Sequence, residues 1–409
     1  MKSIPENNKS KYLKPLSPKV PLVTDKTSRV LLAMSGGVDS SVAAFLLQQA
    51  GYEVIGVTLK MWSYEKTYLG KTGATSDNNF IQEAQTLAKQ LNIEHYVVDI
   101  QEEFARTIIQ NFVDEYFAGR TPNPCVLCNP TMKFGTLLQY ADQLGCDKVA
   151  TGHYLRVKNE NGRYFVCRGK DITKDQSYVL WKMSQAQLSR CIFPLGAFTK
   201  EEVKTMAHKF GITSIAEKRE SYDVCFIPNG DYGVFLQMQR PEMCERLRGG
   251  IICDKNGKWL GKHRGYPFYT IGQRKGLEVA VGYPIYVTHL DPENNKVFLG
   301  EKEDLLSQTL FVTDVNLSKY EHLPNNYRAI VRIRYKDAGT MATITQVENR
   351  LRCDFDTPVS AVTPGQSAVF YENEDVVGGG IINNLYSNIL NGVQPTQLYL
   401  PVRDSSYTL

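Results

Sequence analysis

The chain has no apolar run long enough to span a bilayer, so no segment reads as a membrane helix. Nine cysteines in 409 residues are too few, and odd in number, for a disulfide scaffold. Thiols in a reducing, cytoplasmic compartment are the expectation. Lys plus Arg number 47 against 43 Asp plus Glu, a net charge of +4. So small an excess permits a nucleic-acid partner without demanding one. Residues 1–28 lack an apolar h-region and any arginine, which argues against a secretory signal and a mitochondrial transit peptide. Their six lysines and four prolines read as a flexible basic extension. No second Cys-x-x-Cys and no closely spaced histidine pair accompanies Cys125-Val126-Leu127-Cys128, so a closed zinc site is not expected and no metal ligands are assigned.

What is present begins at Val30-Leu31-Leu32-Ala33-Met34, a short apolar strand that runs into Ser35-Gly36-Gly37-Val38-Asp39-Ser40-Ser41. The amphipathic run Val42 to Leu47 then continues as a helix. Glycines let a backbone approach an anion closely, and the N–H groups of a helix start point at it. Hydroxyls of Ser35, Ser40 and Ser41 can add hydrogen bonds, so the loop reads as a phosphate cradle. It is not a Walker loop, because the Gly-Lys-Ser/Thr ending is missing.

From Arg29 to about residue 215, strands alternate with helices. Tyr52–Leu59, Tyr96–Ile100 and Lys148–Thr151 read as further strands, and Ala84, Leu87, Ala88 and Leu91 form a helical stripe. Such alternation implies βαβ units and a parallel sheet, with ligands at the carboxyl ends of its strands. Thr199 and Glu202 form a capping box. Past Glu220, short alternating runs take over. Arg328–Tyr335 reads as a strand with an apolar face (Ala329, Val331, Ile333, Tyr335) and a basic one (Arg328, Arg332, Arg334, with Ile330). Ala368–Tyr371 and Val376–Ile382 read as a hairpin. The expected class is α/β, with an N-terminal parallel-sheet nucleotide-binding domain over 29–218, a small central domain over 219–300 and a C-terminal β-barrel over 301–409.

Thr121 to Asn129, with two prolines around an asparagine, reads as a loop holding two thiols three residues apart. Cys225 sits in a β-like run ended by Pro228. Cys146, Cys167, Cys191, Cys244, Cys253 and Cys353 read as small buried apolar groups.

In order along the chain come the loop 35–41, Asn123-Pro124 with Cys128-Asn129, Lys133-Phe134, Thr151-Gly152-His153-Tyr154, Lys174-Asp175-Gln176-Ser177-Tyr178 and Cys225-Phe226-Ile227. Thr270 to Gly276, Arg334-Tyr335 and Pro364-Gly365-Gln366 follow. The loop alone resembles that of the ATP pyrophosphatases, whose domain is of the adenine nucleotide alpha hydrolase-like, PP-loop type. The ordered set, covering nearly everything after residue 28, resembles the tRNA-specific 2-thiouridylases, which place sulfur on C2 of the wobble uridine.

The resemblance implies ATP along Ala33, Met34, Ser35, Gly36, Gly37, Val38, Asp39 and Ser40, with Met61 and Gly152 lining the nucleotide. Asp39 is expected to act through a Mg²⁺ ion. It implies that Cys225 carries a persulfide and that Cys128 is the nucleophile that releases its terminal sulfur. It places Asn123, Pro124 and Cys125 at the target base, and His153, Lys174, Asp175, Gln176, Arg334, Tyr335 and Gln366 at the tRNA. The implied partners are tRNAs for Lys, Glu and Gln and a persulfide-carrying donor protein. Cys125 departs from the pattern, standing where the family commonly has aspartate. Cys125, Cys128 and Cys225 could then form an iron–sulfur cluster site, an alternative not favoured over persulfide chemistry. Trp62 to Asn79 also departs, and no role is transferred to it. GMP, argininosuccinate and NAD synthetases share the loop but have no use for the paired cysteines. A non-catalytic RNA-binding protein with a vestigial loop would not need them either.

Overall fold

The computed structural model describes residues 28–63, 79–212, 224–227 and 230–383. The extension expected over residues 1–28 thus lies, but for its last residue, outside the described residues, as does most of Trp62 to Asn79.

The N-terminal part begins with β1 (Arg29–Ala33), helix α1 (Val38–Gln49), β2 (Glu53–Lys60) and β3 (Glu94–Asp99). After β4 (Lys148–Ala150) come a hairpin, β5 (Leu155–Glu160) and β6 (Arg163–Arg168), and then β7 (Cys191–Ile192). Five strands form a parallel sheet in the order β3-β2-β1-β4-β7. Both faces are covered, which is why β1 is apolar throughout: Leu31 packs with Ile55, Val57 and Val149, whereas Val30 and Leu32 face α1 and the helix Lys200–Lys209. The strand order reverses between β1 and β4. Their carboxyl ends, Met34–Gly37 and Thr151–His153, therefore flank the crevice that such sheets offer to ligands. The Thr199 capping box is formed, with Thr199 accepting from the Glu202 N–H at 3.2 Å and Glu202 accepting from the Thr199 N–H at 2.7 Å.

The central part carries β8 (Gly250–Asp254), β9 (Trp259–His263), β10 (Tyr286–Asp291) and β11 (Lys296–Gly300), in the order β10-β11-β8-β9. The C-terminal part runs through β12 (Leu306–Leu317), β13 (Tyr327–Arg332), β14 (Thr340–Val347), β15 (Arg350–Ser360), β16 (Ser367–Glu372) and β17 (Asp375–Ile382). Strands β12-β15-β14-β13-β16-β17 are neighbours in that order, and β17 pairs back onto β12, closing the barrel. Closure removes the exposed edges that an open sheet would leave. The barrel is also joined to the first part: β6 pairs with β17 at Cys167 and Asp375, and Lys158 Nζ reaches Asp375 at 2.8 Å. The parallel sheet, the central domain and the barrel agree with the class expected from sequence.

Two local expectations are corrected. Thr121–Asn129 is not a loop throughout, because Pro124–Cys128 is a helix. Pro124 stands at its first position, where a missing N–H costs nothing and the fixed φ suits the helix, and Asn123 caps it. Cys225 lies in a turn, closed by the Ile227 N–H donating to Val224 O at 2.9 Å, and not in a strand.

Candidate active site

Gly37 ends the loop as the N-cap of α1, and no side chain caps the helix start. The first N–H groups of α1 are therefore available to an anion. Gly36 has φ +72°, and a Cβ there would lie 2.6 Å from Phe80 O, so glycine is required. The serines divide their work differently from expectation. Ser40 and Ser41 are buried and both donate to Gly37 O, at 3.1 and 2.8 Å. They shape the loop, and exposed Ser35 is tied to the same network, its N–H donating to Ser40 Oγ at 3.2 Å and its hydroxyl sharing a 3.3 Å hydrogen bond with it.

Asp39 has partners within the protein. Its carboxylate accepts from Lys200 Nζ at 2.8 and 2.9 Å and from the Tyr154 hydroxyl at 2.7 Å. Lys200 is 7% exposed and lies 5.7 Å from the centre of the Tyr154 ring. The loop lacks a lysine of its own, and this one arrives from a distant helix. A sign was available in the sequence: Lys200 is the first residue of its helix, where a positive charge opposes the helix dipole. A residue placed against its own helix has another partner.

Gly152 packs directly on the loop. A Cβ there would lie 2.9 Å from Asp39 C and Ser40 N, both backbone atoms that cannot swing away. Gly152→Ala is expected to push the two segments apart and cut ATP use by about tenfold or more, read as AMP release. An unchanged rate would show that the loop tolerates the shift. Met61 follows the end of β2 on the same edge of the sheet, half-buried against the core.

The second half of the site is the cysteine helix. Asn123 Oδ1 accepts from the Cys125 N–H at 3.2 Å, and the helix runs on into a π-helical turn, Asn129–Lys133. The wider turn aligns residues five apart, so Lys133 is brought round towards Cys128. Buried Asn129 fixes the turn by donating to Val179 O at 2.9 Å. Cys225 is placed by its neighbour: the Phe226 ring packs against Phe104, Phe112 and Phe235, with centroids 5.3–5.7 Å away. All nine cysteines are thiols outside disulfides.

Electrostatics join these residues. Burial pushes the Cys128 thiol up to about 11 and the Cys225 thiol up to about 12, and Lys133 pulls both back. Burial by itself would lower the Lys133 ammonium, but Cys128, Cys125 and Cys225 together hold it above its usual value. Burial, then Lys133, pushes His153 down to about 3, so its imidazole is neutral. His153 Nδ1 shares a 2.7 Å hydrogen bond with Thr151 Oγ1. Lys133 is thus the common neighbour of all three thiols and of the residue after Gly152. Loop and thiols meet through that short segment. Among the described residues, no three His, Cys, Asp or Glu side chains are grouped closely enough to hold a metal ion.

The residues expected at the tRNA divide into two sets. Asp175 is 6% exposed and its carboxylate is spent inside: it accepts from the N–H groups of Gly169 and Ser177 and from Ser177 Oγ, and pairs with Arg332 at 3.7 Å. The Asp175 side chain is thus an internal support. Gln176 Oε1 accepts from the Tyr154 N–H at 2.9 Å, and Gln366 Nε2 donates to Thr121 O at 2.9 Å. Lys174 is half-buried beside them. The expected basic strand face is also reduced. Arg328 pairs with Asp356 at 2.7 Å, Arg332 turns in to Asp175, and β13 ends at Arg332. Arg334 stays exposed, and Tyr335 is 38% exposed with its hydroxyl on Asp175 O at 3.0 Å.

Family models match the chain in three stretches. The tRNA methyl transferase HUP domain matches residues 28–229, the tRNA methyl transferase PRC-barrel domain 235–301, and the aminomethyltransferase beta-barrel domain 307–382. The tRNA-specific 2-thiouridylase MnmA of Cytophaga hutchinsonii is 48% identical over 364 residues, 88% of this chain and 99% of that protein. Its counterpart in Salinibacter ruber is 47% identical over 365 residues, 88% of this chain and 95% of that protein. A solved 4-thiouridine synthetase–RNA complex with bound ATP is 18% identical, with a TM-score of 0.35, covering 53% of this chain and 51% of that one. That last likeness is too distant to carry an argument. Identity near one half along almost the full length of the curated relatives does carry one: this chain belongs to the tRNA-specific 2-thiouridylase family.

Proposed function

We propose that this protein uses ATP to replace O2 of the wobble uridine of tRNA with sulfur, releasing AMP and pyrophosphate. The observation that carries the reading is a glycine loop at an uncapped helix start with Gly152 packed on it and His153 beside Phe134, the neighbour of a lysine whose charge acts on Cys125, Cys128 and Cys225. The loop, from Ala33 to Ser40, holds the phosphates, and Met61 and Gly152 line the nucleotide. Attack of uracil O2 on the α-phosphorus expels pyrophosphate and turns a poor leaving oxygen into AMP. Asn123, Pro124 and Cys125 face the base.

Cys225 carries the persulfide. Its terminal sulfur bonds to C2, AMP leaves, and the Cys128 thiolate attacks the Cys225 sulfur. The C2 sulfur departs with the tRNA as a thiocarbonyl, and Cys128 and Cys225 are left as a disulfide for a thiol reductant to reopen. Lys133 supplies the positive charge that each thiolate needs in a buried place. A Mg²⁺ ion on the phosphates would share Asp39 with Lys200, which already stands against its carboxylate. Persulfide chemistry on Cys128 and Cys225 is the reading kept over a cluster that would also take Cys125. The partners are tRNAs for Lys, Glu and Gln and a persulfide-carrying protein. The compartment is the cytoplasm, and among the described residues no helix is long and apolar enough to cross a membrane.

Mass spectrometry of nucleosides from tRNA treated with protein, ATP and a persulfide source tests the whole reading. 2-Thiouridine that depends on ATP supports it, and its absence refutes it. Arg334→Ala tests the barrel's share. Loss of one phosphate contact should flatten the salt dependence of tRNA binding by about one unit while ATP affinity stays unchanged. An unchanged slope would make Arg334 an ordinary surface residue.

A further inference from the structure

The segment that leads into the cysteine helix is held on two sides by the other parts of the chain. From the central part, the Tyr266 hydroxyl donates to Phe117 O at 2.5 Å, and Pro292 lies so close that a Cβ on Gly119 would be 2.5 Å from its Cγ. From the barrel, both backbone polar groups of Thr121 are taken. Its N–H donates to Pro364 O at 2.9 Å, and its carbonyl accepts from Gln366 Nε2 at 2.9 Å. Gly365, at φ +90°, leaves no room between: a Cβ there would lie 3.0 Å from Thr121 O. The barrel turn is itself pinned. The Gly365 N–H donates to Ile382 O at 3.0 Å, and the Ile382 N–H donates to Gln366 O at 2.8 Å. Thr121 is two residues from Asn123, the cap of the helix that carries Cys125 and Cys128.

We propose that Gln366 is a positioning residue for sulfur transfer, fixing the start of the cysteine helix to the barrel through Thr121. This rests on the thiolation reading above and departs from the tRNA contact that resemblance implies for Gln366. One of the two N–H groups of its amide is committed to the protein. Turning it to tRNA would leave the Thr121 carbonyl without that hydrogen bond. A barrel that binds tRNA and also holds Thr121 places substrate and thiols in one frame, and small displacements of reacting groups are costly.

The test uses the full chain with Gln366→Ala and Gln366→Glu, measuring kcat and KM for tRNA in ATP-dependent thiolation and tRNA affinity separately. The glutamate variant keeps the shape and loses the donor. The expected result is a fall in kcat of about tenfold with tRNA affinity within about twofold of the parent. Gly365→Ala, which crowds Thr121 while sparing the amide, should give the same split. Weakened tRNA affinity in the Gln366 variants, whatever happens to kcat, overturns the proposal and returns Gln366 to tRNA contact. Unchanged kcat in both Gln366 variants overturns it too. The parent protein is assayed alongside. Its failure to thiolate would sink the thiolation reading itself, whereas an active parent with unaffected variants sinks only the positioning role.

Discussion

Protein carrying Cys225→Ser is expected to release AMP in the presence of tRNA and ATP while leaving no 2-thiouridine above background. The hydroxyl cannot hold a persulfide, so the activated base has no sulfur to meet. Cys128→Ser should fail at a later point: it still accepts sulfur on Cys225, seen as a mass increase of one sulfur, but does not pass it on. The two losses separate because the thiols have different tasks in one small volume. Their burial makes that volume unfavourable for thiolates. With burial pushing the Cys128 thiol up to about 11, very little of it is ionised near neutral pH. The charge of Lys133 and the acidity of the sulfur species formed decide whether the step proceeds. Normal thiolation by Cys225→Ser would overturn the persulfide assignment.

Lys200→Met should lower kcat/KM for ATP by about a hundredfold, the scale of losing one preorganised group that stabilises charge in a transition state. The loss has two sources. A cation disappears from the mouth of the loop, and the Asp39 carboxylate, held by Lys200 at 2.8 Å, is left facing the incoming phosphates. Adding Asp39→Asn removes that second penalty, and the double variant should recover about tenfold of the loss. The rates are read as pyrophosphate release with tRNA present. A double variant worse than Lys200→Met alone would mean that Asp39 has its own work on the nucleotide, as a magnesium ligand would.

The sheet was legible because its signals are local and agree. Apolar strands, the stripe through Ala84, Leu87, Ala88 and Leu91, and the Thr199–Glu202 box each specify one conformation, and the structure contains them. The cysteine helix was missed because two prolines outweighed position in the reading. Proline blocks the interior of a helix but suits its first residue, and Pro130 enters only where the helix has widened into a π turn. Cys225 was misread because a β-branched neighbour and a following proline say nothing of the aromatic cluster that seats Phe226. The face formed by Arg328, Arg332 and Arg334 was overestimated for a similar reason. Alternation reports which side a residue points to, but not that Asp356 and Asp175 wait there. Partners more than a hundred residues away, such as Lys200 for Asp39 or Gln366 for Thr121, leave no periodic trace.

The pairing of β6 with β17 has a consequence for how the chain is made. Lys158 and Asp375 are 217 residues apart in sequence. At ribosomal speeds of about 5–20 residues per second, the hairpin waits on the order of 10–40 s for its partner strand to be synthesised. During that interval the β6 edge has no strand beside it, and an unpaired edge invites the wrong neighbour. The short hairpin, with Lys158, Arg156 and Arg163 along it, carries the charge that discourages such pairing until the barrel arrives. The side chains that later bond to Asp375, Glu374 and Ser318 thus serve first as guards of a nascent edge.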